Sequence, residues 1–514
     1  MSTLVDDILH SLNGRVTGLS SVGSLVKNKT AHAICQENDG NNAWNVNSNG
    51  NVNNWNKDNQ NAVRAVAALG EEERVGWVEA FMDCTRKKRT TKGCNDYLVG
   101  DFESDLWMLI YEVSTRTYHP GTSICFMVRY PRYREVFAAM FRDRIVQHWV
   151  TRRTEPLFET TYEAMGNVSY NCRKGYGTWK AVYRLQELLK ENPDMFVGRF
   201  DLSNFFMSIS KTLLLLLIID KLKKDYHGED KEQLLWLTKV IVEHRPQDDC
   251  VIRSDPHLWE RLPKRKSLFG SDGFHGLAIG NITSQLFANY LMSRFDKWVN
   301  LRFVDDFIVI GTKDELKLFR REAEKWLMEH LGLRLHPDKV YIQPARRSVK
   351  FVGTVIKDGR LYTSKQSVGR FVDALRRLDD DCKYLCQTQS VGNAQRVEKD
   401  ASVVNSYLGM MSHTRSYAIR RKWFGRNIYL WKCCSVAGHF EKVEVKRQYR
   451  TNNILFIKDR TDYETSKREI KARARYACKG VRTTKAHNHG EPGTKRGWNV
   501  ELRGDRTARE CVEP

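Results

Sequence analysis

Long apolar runs are missing from this sequence. The greasiest stretch, Leu213–Asp220 (LLLLLIID), is followed by Lys221 and its basic neighbours and falls well short of the roughly 20 residues of a membrane-spanning helix. A buried helix is expected there, and no membrane partner. The opening MSTLVDDILHSL carries acids where an export signal needs a basic start, so a cytoplasmic location is expected. Paired-cysteine spacing is missing too. The twelve cysteines include no CxxC, and the nearest approaches are Cys382 with Cys386 and the adjacent Cys433 and Cys434, which favours reduced thiols over a disulfide framework. A zinc site near His439 would lack a second Cys/His pair at finger spacing. Acids are in deficit: 62 against 84 lysines and arginines, a formal charge of +22. That field suits a polyanion, and nucleic acid is the leading partner, although a generally basic or ribosome-associated protein would carry the same charge.

The chain has 514 residues, 41% of them hydrophobic, enough for a globular core in roughly two to four domains. Residues 38–61 (NDGNNAWNVNSNGNVNNWNKDNQN) are half asparagine, and no regular helix or strand is expected in them. They read either as a linker or, because of Trp44 and Trp55, as a segment that packs on a partner. Helical patterning starts near Val66 and recurs over Trp107–Val113. Ser123–Val128 (SICFMV) reads as a strand, and Arg129–Arg144 interleaves arginines with Tyr130, Tyr133, Phe137 and Phe141, a mixture suited to phosphates and bases. From Phe196 to Ile356 short β-type runs (MFVGRFDL, LRFVDDFIVI, KFVGTVI) alternate with helical ones, among them Thr283–Asn300 and Asp314–Leu331, which predicts an α+β architecture. Beyond Leu361 the chain reads as helical, and Lys471–Pro514, rich in Arg, Lys and Gly, as a solvated tail or RNA-binding arm.

Chemistry concentrates in four segments. In LRFVDDFIVI two apolar runs meet at Asp305 and Asp306, as in a hairpin presenting two carboxylates. Other acidic pairs, such as Asp248-Asp249, lack greasy flanks, and burying a strand that ends in two charges is costly without a cation. In GRFDLSNFFMSI, Asp201 ends another apolar strand. Three strand-borne carboxylates make a cage for hard divalent cations, and two such ions serve phosphoryl transfer. In GLAIGNITSQLFANYLM a turn with Gly280 runs into a helix and is expected to let backbone approach a ligand. In HPDKVYIQP, Lys339 stands before the next strand, where it could face departing pyrophosphate or be an ordinary surface lysine.

In this order the segments resemble the reverse transcriptase family over roughly 118–411, whose palms carry an acid with a downstream aromatic, a glycine turn and helix, aromatic-x-Asp-Asp, then a lysine and a hydrophobic-Gly turn. The resemblance implies a right-hand polymerase: an N-terminal extension (1–100), fingers (101–195), palm (196–360), helical thumb (361–440) and a basic C-terminal region (441–514). It implies that Asp201, Asp305 and Asp306 are catalytic and hold two Mg²⁺ ions, with Mn²⁺ as a substitute, and that Phe206 is the gate against a ribose 2′-hydroxyl. REVFAAMFRDR resembles the finger segment, which makes Arg134 the cation for the triphosphate with Arg132 and Arg144 in support. Arg129, Arg142, Arg144, Arg173 and Lys174 are the candidate nucleic-acid contacts, each with an internal salt bridge as its ordinary alternative. An RNA template, deoxynucleoside triphosphates and a DNA product are the implied partners.

Ile279 and Gln285 in AIGNITSQ stand where many relatives carry Gln and Pro, which resembles diversity-generating retroelement and unclassified defence-associated bacterial enzymes. All three of Ile279, Gly280 and Gln285 are therefore candidate nucleotide contacts, relaxed fidelity is expected, and a role in anti-phage defence with a dedicated noncoding RNA is implied. An untemplated or protein-primed polymerase, with Tyr449, Tyr463 or Tyr476 as primer, and a silent RNA-binding scaffold are the alternatives. Template identity and oligomeric state, a homo-oligomer included, stay open.

Overall fold

The computed structural model describes residues 36–37, 42–46, 52–56, 70–86, 91–99, 102–129 and 132–454. Tyr463, Tyr476 and the tail from Lys471 lie outside them. The chain divides into two compact units, Met1–Ser364 and Lys365–Pro514.

The asparagine-rich segment overturns its expectation. Strands β1 (Gln36–Glu37), β2 (Asn42–Val46) and β3 (Val52–Asn56) form an antiparallel sheet in which Val46 faces Val52 and Ala43 faces Trp55. The asparagine count hid a hairpin signal: two runs containing Trp and Val, both strand formers, separated by NSNGN, a five-residue connection with turn chemistry.

Elsewhere in the first unit, helices Glu71–Thr85, Phe102–Ser114 and Phe141–Ala164 share a core in which Trp77 stacks on Trp149 at 5.0 Å. Helix Lys211–Asp225 buries the stripe Leu214, Ile218 and Leu222, together with Lys211 at its start, and leaves Leu216 exposed, so the helix is amphipathic rather than wholly buried. Among the described residues no helix is long and apolar enough to cross a membrane.

Two small sheets position the site. Strands β4 (Ser123–Val128) and β5 (Arg134–Ala138) form a hairpin, and β4 also pairs in parallel with β7 (Cys250–Ile252). The central sheet contains β6 (Phe196–Asp201), β8 (Leu301–Phe303), β9 (Asp306–Gly311) and β10 (Tyr341–Pro344), all antiparallel and in the order β10-β6-β9-β8. Its period of two is plain in β9. Phe307 and Val309 join the core that includes helices Ile282–Met292 and Lys313–Leu331, while Ile308 and Ile310 join that of helix Thr178–Glu191. The sheet is thus covered on both faces, as an apolar strand in the middle of a domain requires. KFVGTVI is a hairpin rather than one strand. Val352 and Gly353, both at positive φ, turn β11 (Val349–Phe351) into β12 (Thr354–Lys357), which continues to β13 (Arg360–Thr363). Helix Lys313–Leu331 is bounded as its sequence dictates, by a capping box of Thr312 and Glu315 and by Gly332 at φ 66°.

The second unit pairs helices Lys365–Thr388 and Val391–Met411 and adds helix Tyr417–Phe424 and a hairpin of β14 (Cys434–Ala437) and β15 (Lys442–Val445). Cys382, Cys433 and Cys434 are buried in its core and unbridged.

Candidate active site

Register places the acids together. Asp201, the last residue of β6, pairs directly with Asp306, the first of β9, and the carbonyl of Asp305 accepts a hydrogen bond from the Leu202 amide at 3.2 Å. The tip of the hairpin is strained: Val304 sits at φ 60°, a conformation that costs a β-branched residue about 1–3 kcal/mol. Arg302 holds it there. Its guanidinium, fully buried, donates to the Val304 carbonyl at 3.3 Å, to Asp296 Oδ2 at 2.8 Å and to Asn289 Oδ1 at 2.7 Å, so the hairpin is bolted to helix Ile282–Met292. A charge inside the apolar run LRF was a legible signal that this strand needs a buried partner.

The electrostatics are those of a crowded anionic site. Burial pushes the Asp305 carboxyl up to about 7, with Asp306 and Asp201 adding repulsion. Burial also raises Asp306, against the pull of Arg199. Two cations answer the charge. Lys339 Nζ lies 2.6 Å from Asp201 Oδ1, and Arg199 Nη2 lies 3.0 and 3.1 Å from the two oxygens of Asp306. Turned to these partners, the carboxylates do not form a ready-made cage: among the described residues no group of three His, Cys, Asp or Glu side chains is arranged to hold an ion. Arg199 was not singled out in the sequence, although its place two residues before Asp201 puts it on the same face of β6.

Around this centre, Phe206 lies half-buried five residues beyond Asp201, edge-on to Phe205 at 5.4 Å. Arg132 and Arg134 are exposed, and their side chains have no hydrogen-bonding partner among the described residues. The Gly280 turn meets a neighbour that the sequence did not suggest. The amide of Phe137 donates to the Ile279 carbonyl at 2.9 Å, and a Cβ on Gly280, at φ 125°, would stand 2.6 Å from the Phe137 carbonyl oxygen. Close approach here is to strand β5. Gln285 is exposed and accepts a long bond from the Cys172 thiol, 3.6 Å.

The basic candidates divide. Arg129 is exposed without an ion-pair partner among the described residues. Arg144 donates Nε to the Ala139 carbonyl at 2.9 Å. Arg142 is committed to Glu112 and lies over the Tyr118 ring. Arg173 is buried, bonds Glu159, Asn167 and the Ser169 carbonyl, and sits 3.9 Å over Tyr176. Lys174 is exposed and pairs with Glu155 at 2.9 Å. Arg142 and Arg173 thus show the internal salt bridges that the sequence left open as the ordinary alternative.

No protein-family profile and no curated protein matches the chain. Among solved structures it is similar to apo telomerase from Candida tropicalis, with a TM-score of 0.38 and 13% identity over 60% of this chain and 59% of that one. A form of that enzyme truncated from the C-terminal domain gives 0.34 and 16%, over 47% and 55%. Telomerase from Candida albicans with a TWJ fragment of telomeric RNA gives 0.34 and 10%, over 62% and 60%. The chain thus spans less than two thirds of these proteins. Likeness of this size says nothing of the reaction, which has to be read from the carboxylates and cations themselves.

Proposed function

We propose that this chain is an RNA-directed DNA polymerase of the reverse transcriptase type, with Asp201, Asp305 and Asp306 as its catalytic carboxylates. One observation carries the reading: Asp201 and Asp306, paired across the adjacent strands β6 and β9, and Asp305 in the turn before β9 lie at one end of the central sheet, where Lys339 and Arg199 reach two of them. That mixture fits a reaction in which a hydroxyl attacks a polyphosphate, since negative charge must be gathered at the attacking oxygen and neutralised at the leaving one. The all-oxygen donor set fits a hard cation such as Mg²⁺, or Mn²⁺ in its stead, and such ions would supply charge neutralisation at both oxygens.

The protein's own groups position the reactants. Asp201, Asp305 and Asp306 would hold the ions, and Lys339, now on Asp201, would meet departing pyrophosphate. Arg132 and Arg134 offer unspent charge to a triphosphate, and Phe206 would act as the gate against a sugar 2′-hydroxyl, as the motif resemblance implies. The right-hand layout, with fingers at 101–195, palm at 196–360 and thumb at 361–440, belongs to the same proposal. So do the RNA template, relaxed fidelity and a part in anti-phage defence, which rest on the motif resemblance.

Product analysis tests the reading. The protein, purified with its bound nucleic acid and supplied with Mg²⁺ and labelled deoxynucleotides, is expected to make DNase-sensitive product whose sequence complements a bound RNA. Homopolymeric product, or label attached to protein, would replace RNA-templated synthesis with the untemplated or protein-primed alternative. Failure to incorporate any nucleotide despite bound RNA would favour the scaffold.

A further inference from the structure

Between helices Lys231–Glu243 and Ile282–Met292 runs a segment with three 3-10 turns, Pro256–Arg261, Lys264–Lys266 and Leu268–Gly270. Nothing in the motif pattern gives it a role. It is nevertheless fastened to the β4–β5 hairpin. Glu135, almost fully buried, accepts from Trp259 Nε1 at 2.6 Å, from Ser267 Oγ at 2.7 Å and from the Leu268 amide at 2.7 Å. Phe269 packs on Phe137 at 5.6 Å, and Arg261 donates to the Tyr133 hydroxyl at 2.9 Å. A buried carboxylate with three donors is a firm anchor.

The anchor fixes what precedes it. Lys266, next to Ser267, is half-buried, and its amine has no hydrogen-bond or ion-pair partner among the described residues. Its charged neighbours are Lys339, Arg132, Arg265 and Asp201, and burial together with the three cations makes its protonated form less favourable. Asp201 is already matched by Lys339. A half-buried ammonium held among cations is costly unless an anion joins them. A compact, multiply charged anion would offset these cations together.

We propose that Lys266 binds the triphosphate of the incoming deoxynucleotide together with Arg132 and Lys339, and that Glu135 is the positioning residue that sets it there. The inference rests on the polymerase reading but concerns a segment outside the recognised motifs. It makes the nucleotide site a three-part structure, with cations from the hairpin loop, from the turn Lys264–Lys266 and from the segment before β10.

Steady-state incorporation by Lys266→Ala, Lys266→Arg, Glu135→Gln and the exposed neighbour Lys264→Ala tests this. Loss of one charge-assisted contact is expected to raise the KM for deoxynucleotide about tenfold or more in Lys266→Ala. kcat and primer–template affinity should move little, Lys266→Arg should recover most of the loss, Glu135→Gln should share it, and Lys264→Ala should match wild type. An unchanged KM would overturn the proposal, and a weakened primer–template Kd with unchanged KM would move Lys266 to nucleic-acid contact instead. Thermal stabilisation by dTTP, with thymidine as the phosphate-free control, is read independently of turnover. Wild-type protein that is stabilised by dTTP yet incorporates nothing would sink the polymerase reading and spare the site. Equal stabilisation of wild type and Lys266→Ala would sink the site.

Discussion

Gly280→Ala separates two accounts of the glycine turn. If the turn were open so that a ligand could approach, a methyl group would alter nucleotide binding and leave folding alone. The structure instead places the new Cβ 2.6 Å from the Phe137 carbonyl oxygen and 2.9 Å from Val136 Cγ1, at φ 125°. Alanine in that conformation costs about 1–3 kcal/mol, and moving it away from a backbone oxygen breaks the Phe137–Ile279 hydrogen bond, about 1 kcal/mol more. The sum, about 2–4 kcal/mol, should lower the melting temperature of a unit this large by about 3–5 °C. Gly332→Ala is the control: Gly332 has φ 66° with nothing within 4 Å of its Cβ, so only about 1 kcal/mol of left-handed strain applies. Scanning calorimetry of both variants reads the difference. A Gly280→Ala protein that melts with wild type while its nucleotide KM rises would refute the joint between this turn and β5.

Three further outcomes follow from the same geometry. Arg302→Met should destabilise by about 3–5 kcal/mol because it strands buried Asp296, and adding Asp296→Leu should return part of the loss; a melt equal to wild type would contradict the bolt. Asp305→Asn should raise stability in chelator-containing buffer. The carboxyl is held up to about 7 against an unfolded value of about 3.9, so the folded state keeps its proton longer and wild type loses stability as pH climbs through that window. The melting gap between the two proteins should be near zero at pH 4 and widen to about 2–4 kcal/mol above pH 7; a gap that ignores pH would show that burial and the neighbouring acids do not hold this carboxyl up. Arg129→Ala should weaken RNA binding and flatten its salt dependence by about one phosphate contact, whereas Arg173→Ala should lower the melting temperature, since its partner is Glu159. Filter binding across a salt series and a thermal melt distinguish them.

What the sequence made legible was local. The alternation in LRFVDDFIVI leads straight to β8 and β9, and Thr312, Glu315 and Gly332 mark both ends of their helix. The carboxylates were legible because an acid that ends an apolar strand is costly to bury without a cation beside it. What stayed hidden depends on distant partners. Arg142 and Arg173 look alike in a motif, yet Glu112 and Glu159 decide their fate. Glu135 gains its meaning only from Trp259 and Ser267, more than 120 residues away, and with it goes Lys266. The β2–β3 hairpin hides for another reason: a stretch that is half asparagine has the composition of a loop, and only the spacing of Trp and Val marks its strands.

The catalytic role of the hairpin acids is tested most directly by deoxynucleotide incorporation, with wild type beside an Asp305→Ala, Asp306→Ala double variant on the same primer and RNA template with Mg²⁺. Labelled DNA is expected from wild type and none from a variant that still folds and still binds the RNA. Equal synthesis by both proteins would contradict that role, because the hairpin acids would then be spectators of the chemistry.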